Sequence, residues 1–563
     1  MMFAAWPLGQ PISFATALAL LACFSAQTAR SAVVSSEVTG ASLPSCWDVS
    51  KPQGGFGDHL QQILHNSTLS NLTVEKLQRA VQIPSAWVVD AADCCTAVKS
   101  DTETYKQFKR LHEQLSRDFP LVWCKLKVET VNELGLLVTW PGSDSGAKPA
   151  LISANMDVIV QDQDDLSTSS QFEGKIENEQ KQRRTNIHGR GAFDKSHLVG
   201  LLEALEYTLE TDPSFQPKRT IVLALGFDEQ LGGELGAAEI SKKLESQYGS
   251  DSFSVVLGKD VAGVVETYGA YLAPIGVATK QDVRFTFRFN FSDMYRTSPL
   301  MPTNEFRIFG NISDALNRFP ERYDFTKANP LTNLFQCAAN DFKYMPEEQI
   351  KDLLAALEDQ DANNRFTDFL RSQPTNYAGF AFTTVQQFSF IHGGSIHAVR
   401  PEYLQFEIKE SLTLDTSVEL RTELIKAALK EVGPMGLIVN GEVIDAIDSG
   451  ITCEVLVDAD TKDEPSPNSD DLELLASTIK GLYEDSIFPD LPDKPSKLNV
   501  GTSFSAIKTD SSHYKNLSKH VYYFRPGFFQ DFVIPSFNTR KEHVGVQTLL
   551  YTVAFFYQYV HSL

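Results

Sequence analysis

Thr220-Ile-Val-Leu-Ala-Leu-Gly-Phe-Asp-Glu-Gln-Leu-Gly-Gly233 is the stretch on which the fold turns. Thr220–Leu225 is a short apolar run ended by glycine, which reads as a strand buried on both faces. The glycines at Gly226, Gly232 and Gly233 then bracket a turn that carries Asp228 and Glu229. Nothing of the form G-x-x-x-x-G-K-[ST] occurs, so this turn is not a phosphate loop.

Working outward, Leu198, Leu201, Leu202, Leu205 and Leu209 recur at helical spacing and predict a helix over His197–Leu209. A second helix fits Ala237–Leu244 and a third Tyr105–Phe119, with strand-like runs at Leu136–Trp140 and Ala150–Ser153. Strands alternating with helices predict an α/β sheet with helices on both faces. Around Asp282 the texture changes. Val283, Phe285, Phe287 and Phe289 alternate strictly, the signature of a half-buried strand. An inserted α+β unit is therefore expected over 281–435, between catalytic-type segments at 105–280 and 436–563. Residues 33–104 read as an N-terminal extension that wraps the body, and Asp458–Asp470 as a loop.

The chain has 563 residues, enough for two to four domains at about 100–200 residues each. Its 50 Lys and Arg against 72 Asp and Glu give a formal charge of −22, which excludes nucleic-acid binding over a broad basic face. A hydrophobic share of 42% excludes global disorder. Ile12–Phe24 is an apolar run too short for a membrane span, which needs about 20 residues. Small residues follow it, so residues 1–32 read as a signal peptide, with an uncleaved anchor as the alternative. Sequons at Asn66, Asn71, Asn290, Asn311 and Asn516 agree with a secreted glycoprotein. Cys46, Cys94, Cys95, Cys124, Cys337 and Cys453 would remain after cleavage, an even number that permits disulfides.

Several blocks, in a consistent order over about 105–560, resemble the M20 family of zinc peptidases and amidohydrolases, in its carboxypeptidase S and N-acyl-amino-acid hydrolase branch. They are Val131–Asp144, Ser153-Ala-Asn-Met-Asp-Val158, His188-Gly-Arg-Gly-Ala-Phe-Asp194, Gly226–Gly233, Gly393-Gly394, Pro401-Glu402, Glu464-Pro-Ser-Pro467 and Thr509-Asp-Ser-Ser-His-Tyr514. The resemblance implies a zinc-exopeptidase-like mixed sheet interrupted by a ferredoxin-like lid, through which two chains can pair. It also implies two zinc ions held by five ligands, with a glutamate that activates water.

Carried over by position, the general base is Glu229 and the bridging aspartate Asp194, with Asp157 beside the first histidine position. The other ligand positions depart from the pattern: Asn155 and Asn538 stand where histidines are expected, Gln230 where a glutamate is, and Glu266 where an aspartate is. Amide oxygens bind zinc poorly, so no zinc is expected. The all-oxygen set would suit only a hard cation, Ca²⁺ or Mg²⁺, with Asp194 and Glu266 as its ligands. Ser196 replaces an expected lysine, and no histidine lies between His197 and His392 to serve as the lid's oxyanion donor. His397 and His513 remain as candidate substrate contacts. Lys195 could neutralise the pocket in place of a cation, and His188 and His197 could be drafted as ligands.

The expected function is therefore a secreted, carboxypeptidase-like M20-fold enzyme that acts on an amino-acid-derived amide or amine. Its chemistry would be carboxylate acid–base catalysis by Glu229, Asp157 and Asp194, without the two zinc ions. The alternatives are a non-catalytic pseudoenzyme that binds a peptide or small ligand, and a residual metal-dependent carboxypeptidase or aminoacylase.

Overall fold

The computed structural model describes residues 47, 49–51, 56–88, 102–160, 169–179, 184–260, 263–297, 305–318, 325–327, 329–373, 385–393, 402–413, 416–505, 508–528 and 541–563. The signal-peptide reading, three of the cysteines (Cys46, Cys94, Cys95), His397 and Asn538 lie outside these residues.

Nine strands form the main sheet, in the order Val265–Thr267, Ala270–Thr279, Val521–Tyr523, Val255–Gly258, Ala150–Asn155, Ile221–Gly226, Gly135–Trp140 and Lys127–Val131, with Asn499–Ser505 pairing alongside Ala270–Thr279. Ala150–Asn155 runs parallel to both Ile221–Gly226 and Val255–Gly258. Every residue of Ala150–Asn155 and of Ile221–Gly226 is buried, as a parallel strand covered on both faces requires. Ile221, Leu223 and Leu225 face a core shared with helices Ala192–Thr211, Asp470–Leu482 and Val546–Ser562. Val222 and Ala224 face the other side, against Ile240 and Leu244 of helix Ala237–Tyr248.

The second sheet has six strands in the order Val385–His392, Tyr403–Leu412, Gln281–Phe291, Ile451–Ala459, Gly436–Val439 and Glu442–Asp445. Along Gln281–Phe291 the alternation is as read from sequence: Val283, Phe285, Phe287, Phe289 and Phe291 are buried. They pack with Ile308 and Ile312 of helix Glu305–Arg318 and with Ile425 and Leu429 of helix Val418–Val432.

The structure differs from the expected segmentation in two ways. The second sheet continues through Ala459, so the chain returns to the main sheet later than 435. Helices Pro330–Cys337, Glu347–Ala355 and Gln360–Arg371 lie within the expected insert. Their apolar residues nevertheless pack on Val265, Ala270 and Leu272 of the main sheet. In the N-terminal extension, helices Gly57–His65 and Ser67–Val81 bury Leu60, Ile63, Leu77 and Val81 in the main core itself.

Among the described residues no helix is long and apolar enough to cross a membrane. Cys337 is disulfide-bonded, whereas Cys124 and Cys453 are free.

Candidate active site

Three parallel neighbours, Ala150–Asn155, Ile221–Gly226 and Val255–Gly258, end on the same edge of the main sheet. The crevice beyond the carboxyl ends of such strands is where open α/β sheets place ligands. Each strand delivers charge there within three residues of its end: Asp157 after the first, Asp228 and Glu229 after the second, and Lys259 after the third. Asp194 comes from the first turn of helix Ala192–Thr211, which begins one residue after Gly191 at φ +82°. That start lies five residues ahead of the sequence reading. The intervening Asp194, Lys195 and Ser196 are polar yet fully buried, and an apolar periodicity cannot register them.

At the centre stands the ammonium of Lys259. It lies 2.5 Å from Asn155 Oδ1 and 2.8 Å from Glu229 Oε2, and it pairs with Asp194 Oδ1. An ammonium has three protons, and three oxygens meet it. Asp194 Oδ2 accepts from Gln230 Nε2 at 3.2 Å. Asp157 accepts from Asn155 Nδ2 at 3.0 Å and from the Gln230 backbone N–H at 2.9 Å. Asn155 and Gln230 therefore act as spacers that knit carboxylates together, one amide end donating and, in Asn155, the other accepting from Lys259.

A second buried cation, Arg525, donates to Phe193 O and to Ser196 Oγ (3.1 Å), stacks 3.5 Å over the Phe193 ring, and stands 4.0 Å from Asp194 Oδ1. Glu542 accepts from the Phe193 backbone N–H at 2.9 Å, capping the helix that presents Asp194.

Burial dominates the electrostatics. It raises the Glu229 carboxyl to about 7, with Asp194 and Asp157 adding to the rise and Lys259 opposing it. It raises Asp157 too, against the hydrogen bonds from Gln230 and Asn155. Burial works against the Lys259 ammonium, but Asp194 and Glu229 outweigh it and lift its pKa above the ordinary lysine value. The cation is therefore permanent at any physiological pH.

Comparison with known proteins places this arrangement. No family model matches the chain. The chain is 29% identical over 532 residues to carboxypeptidase S of Saccharomyces cerevisiae, covering 92% of this chain and 88% of that protein. It is 25% identical over 507 residues to the N-fatty-acyl-amino acid synthase/hydrolase PM20D1.1 of Danio rerio, covering 87% and 85%. Among solved structures it resembles the dipeptidase Dug1p of S. cerevisiae, with a TM-score of 0.55 at 12% identity over 90% of this chain and 98% of that one. It also resembles the M20 family metallo-carboxypeptidase Sso-CP2 of Sulfolobus solfataricus, with a TM-score of 0.51 at 15% identity over 87% and 99%.

Over most of its length the chain is similar to M20 peptidases and amidohydrolases.

Within this M20 frame the expected site residues divide. Asp157, Asp194 and Glu229 converge as a buried cluster with Asn155 and Gln230. Glu266 is a correction. It sits on the edge strand Val265–Thr267, where alternation turns Val265 and Thr267 inward and leaves Glu266 exposed. The residue that meets Asp194 from this part of the chain is Lys259, seven positions earlier.

Lys195 is not solvated: its ammonium donates to Ala80 O at 2.9 Å and Ile83 O at 2.6 Å, tying down the end of helix Ser67–Val81, while Glu542, Asp157 and Asp194 favour its charge. His197 packs edge-on against Phe556 at 5.2 Å, and burial lowers its pKa well below the ordinary value. His188 stacks on His543 at 4.9 Å on a separate three-stranded sheet. His513 is half-buried beside Gly233 with Nε2 2.6 Å from Gly232 O, and His392 is exposed at the end of its strand.

Sequence reasoning missed Lys259, Arg525, Glu542 and Asp510. For Lys259 a signal existed: the apolar run Val255-Val-Leu257 reads as a strand, and Gly-Lys-Asp follows it where Phe-Asp-Glu follows its neighbour.

Proposed function

We propose that this chain is an M20-fold, carboxypeptidase-like enzyme that carries its own cation, Lys259, in place of the family's two zinc ions. It acts on an amino-acid-derived amide or amine by proton transfer at Glu229. The observation that carries the reading is the Lys259 ammonium seated among Asn155, Asp194 and Glu229. The residues present do not fit a dinuclear zinc centre. Three of the expected ligand positions, Asn155, Gln230 and Asn538, carry amides, and Asp194 already spends one oxygen on Lys259 and the other on Gln230. A divalent ion would also have to share the site with a fixed positive charge. The same objection applies to Ca²⁺ or Mg²⁺, for which Glu266 is in addition turned to solvent.

Glu229 has the properties of a general acid–base. Its carboxyl titrates at about 7, near the pH at which proton transfer in both directions is most effective. Oε2 rests on Lys259, which orients the group and leaves Oε1 to exchange the proton. The three protons of Lys259 are engaged by protein oxygens, so the residue serves as a fixed counter-charge for Asp194 and Glu229 rather than as a donor to substrate. The names of the relatives, a carboxypeptidase and an N-fatty-acyl-amino acid synthase/hydrolase, point to amides of amino acids as the substrate class. Entry into the secretory pathway through residues 1–32, with sugars on sequons such as exposed Asn516, belongs to the same proposal.

The test uses purified full chain on a panel of N-acyl-amino acids, dipeptides and amino-acid-derived amines. Turnover should persist in chelator. Glu229→Gln should lower kcat by about 100-fold or more, and Asp194→Asn should lower it as well. Equal turnover by wild type and both variants would refute the catalytic role. Loss of turnover in chelator, restored by zinc, would return the chain to metal-dependent hydrolysis. Saturable binding of panel compounds without turnover would instead support a ligand-binding pseudoenzyme.

A further inference from the structure

Asp510 lies in the short turn Asp510–Tyr514, with the Thr509 hydroxyl capping its start at Ser511 N. The residue is 4% exposed, and among the described residues neither carboxyl oxygen finds a hydrogen-bond partner. This is not a loose side chain. The carboxyl is seated between the two ends of the turn that carries Glu229. A Cβ on Gly226 would overlap Asp510 Oδ2, and one on Gly233 would stand 2.5 Å from Oδ1. Both flanking positions are glycine, and both leave the room that this carboxyl fills.

An ionised carboxylate in that place would be buried without a donor, which strongly disfavours the charged form. The groups that act on it are the carboxyls of Glu229, Asp157 and Asp228 and the phenol Tyr514, against the cation Lys259, and the His513 ring lies beside it across Gly233. Lys259 already holds Asn155, Asp194 and Glu229. Asp228 satisfies both its oxygens with the backbone N–H groups of Leu235 (2.6 Å) and Gly236 (2.8 Å), and Asp157 has its own two donors. Asp510 is thus the member of this acidic set that receives no hydrogen bond from the described residues.

We propose that Asp510 is held as a neutral carboxylic acid beneath the Glu229 turn and is a positioning residue for Glu229. As a neutral group it fills the space under the turn without placing a second negative charge beside the base, so that Glu229 can be the carboxyl that gains and loses the proton. The direction of the Asp510 titration, raised well above the ordinary carboxyl range chiefly by burial, agrees. The inference rests on the reading of Glu229 as the acid–base group, but its first readout is independent of turnover.

The test compares wild type with Asp510→Asn, a neutral isostere, by infrared difference spectroscopy on protein labelled with [13C]aspartate, at about pH 8, where an ordinary aspartate is ionised. The difference spectrum should contain the carbonyl band of a protonated aspartate, and the variant should melt no lower than wild type. On a substrate that wild type turns over, the acid limb of kcat/KM should stay where it is, because one neutral group has replaced another. A carboxylate band in the difference spectrum would overturn the proposal. So would an acid limb that moves down by about one pH unit or more, the sign of a removed negative charge. Should the variant fail to fold, a pH titration of labelled wild type decides: a protonated aspartate band must survive at about pH 8. Failure of Glu229→Gln to affect turnover would refute the catalytic reading while leaving the infrared result standing.

Discussion

Lys259 converts a cluster of acids into a paired network. Its ammonium is bracketed by Asn155, Asp194 and Glu229, and such a pair is tolerated in a core only because every charge has its partners. Lys259→Met keeps the length of the side chain and removes the charge. It should destabilise the protein by about 3–5 kcal/mol near neutral pH, the usual cost of breaking a buried pair, as read by chemical denaturation. The loss should depend on pH. Glu229 has a folded value of about 7 against 4.5 when unperturbed, so the unfolded chain ionises first as pH rises. The burial of Glu229 therefore costs nothing below 4.5 and costs progressively more up to about 7. Lys259 opposes that rise. Without it the window should extend upward, so the deficit of Lys259→Met should widen from acid to neutral pH. A deficit that is flat across this range would show that Lys259 contributes packing and not charge.

The elements show what a sequence can and cannot disclose. Strand Ile221–Gly226 and the alternating strand Gln281–Phe291 were legible because one hydrophobic rule governs each from end to end. The start of helix Ala192–Thr211 was not, since its first turn is polar and buried for the sake of the site. Asp157, Asp194 and Glu229 were legible from motif blocks, each of which is local in the chain. Lys259 was not, because it enters the site through a strand pairing that joins residues about a hundred positions apart. Glu266 was misplaced for the related reason that strand alternation, not its acidic character, decides which way it faces. The turn after Ile221–Gly226 also makes a prediction. Gly226→Ala would place a methyl on Asp510 Oδ2 and should cost about 1–3 kcal/mol as an overpacking change. Asp510→Gly in the same chain should recover most of the loss, measured as a double-mutant cycle. No recovery would mean that Asp510 does not occupy the space between the glycines.

For the whole molecule, the −22 balance first served only to exclude a nucleic-acid partner. Part of it proves to be a buried set of carboxyls at the edge of the nine-stranded sheet, offset from within by Lys259 and flanked by Arg525. The N-terminal helices belong to this assembly, since Lys195, next to Asp194, holds the end of helix Ser67–Val81 by two carbonyls. The site is therefore built by the entire main domain and not by a few loops. The account stands on one proposal, that Lys259 takes the place of a metal ion at this site. The most direct measurement is the zinc content of full-length protein equilibrated with excess zinc and then freed of unbound metal. Far less than one zinc per chain is predicted, whereas about two per chain would contradict the account.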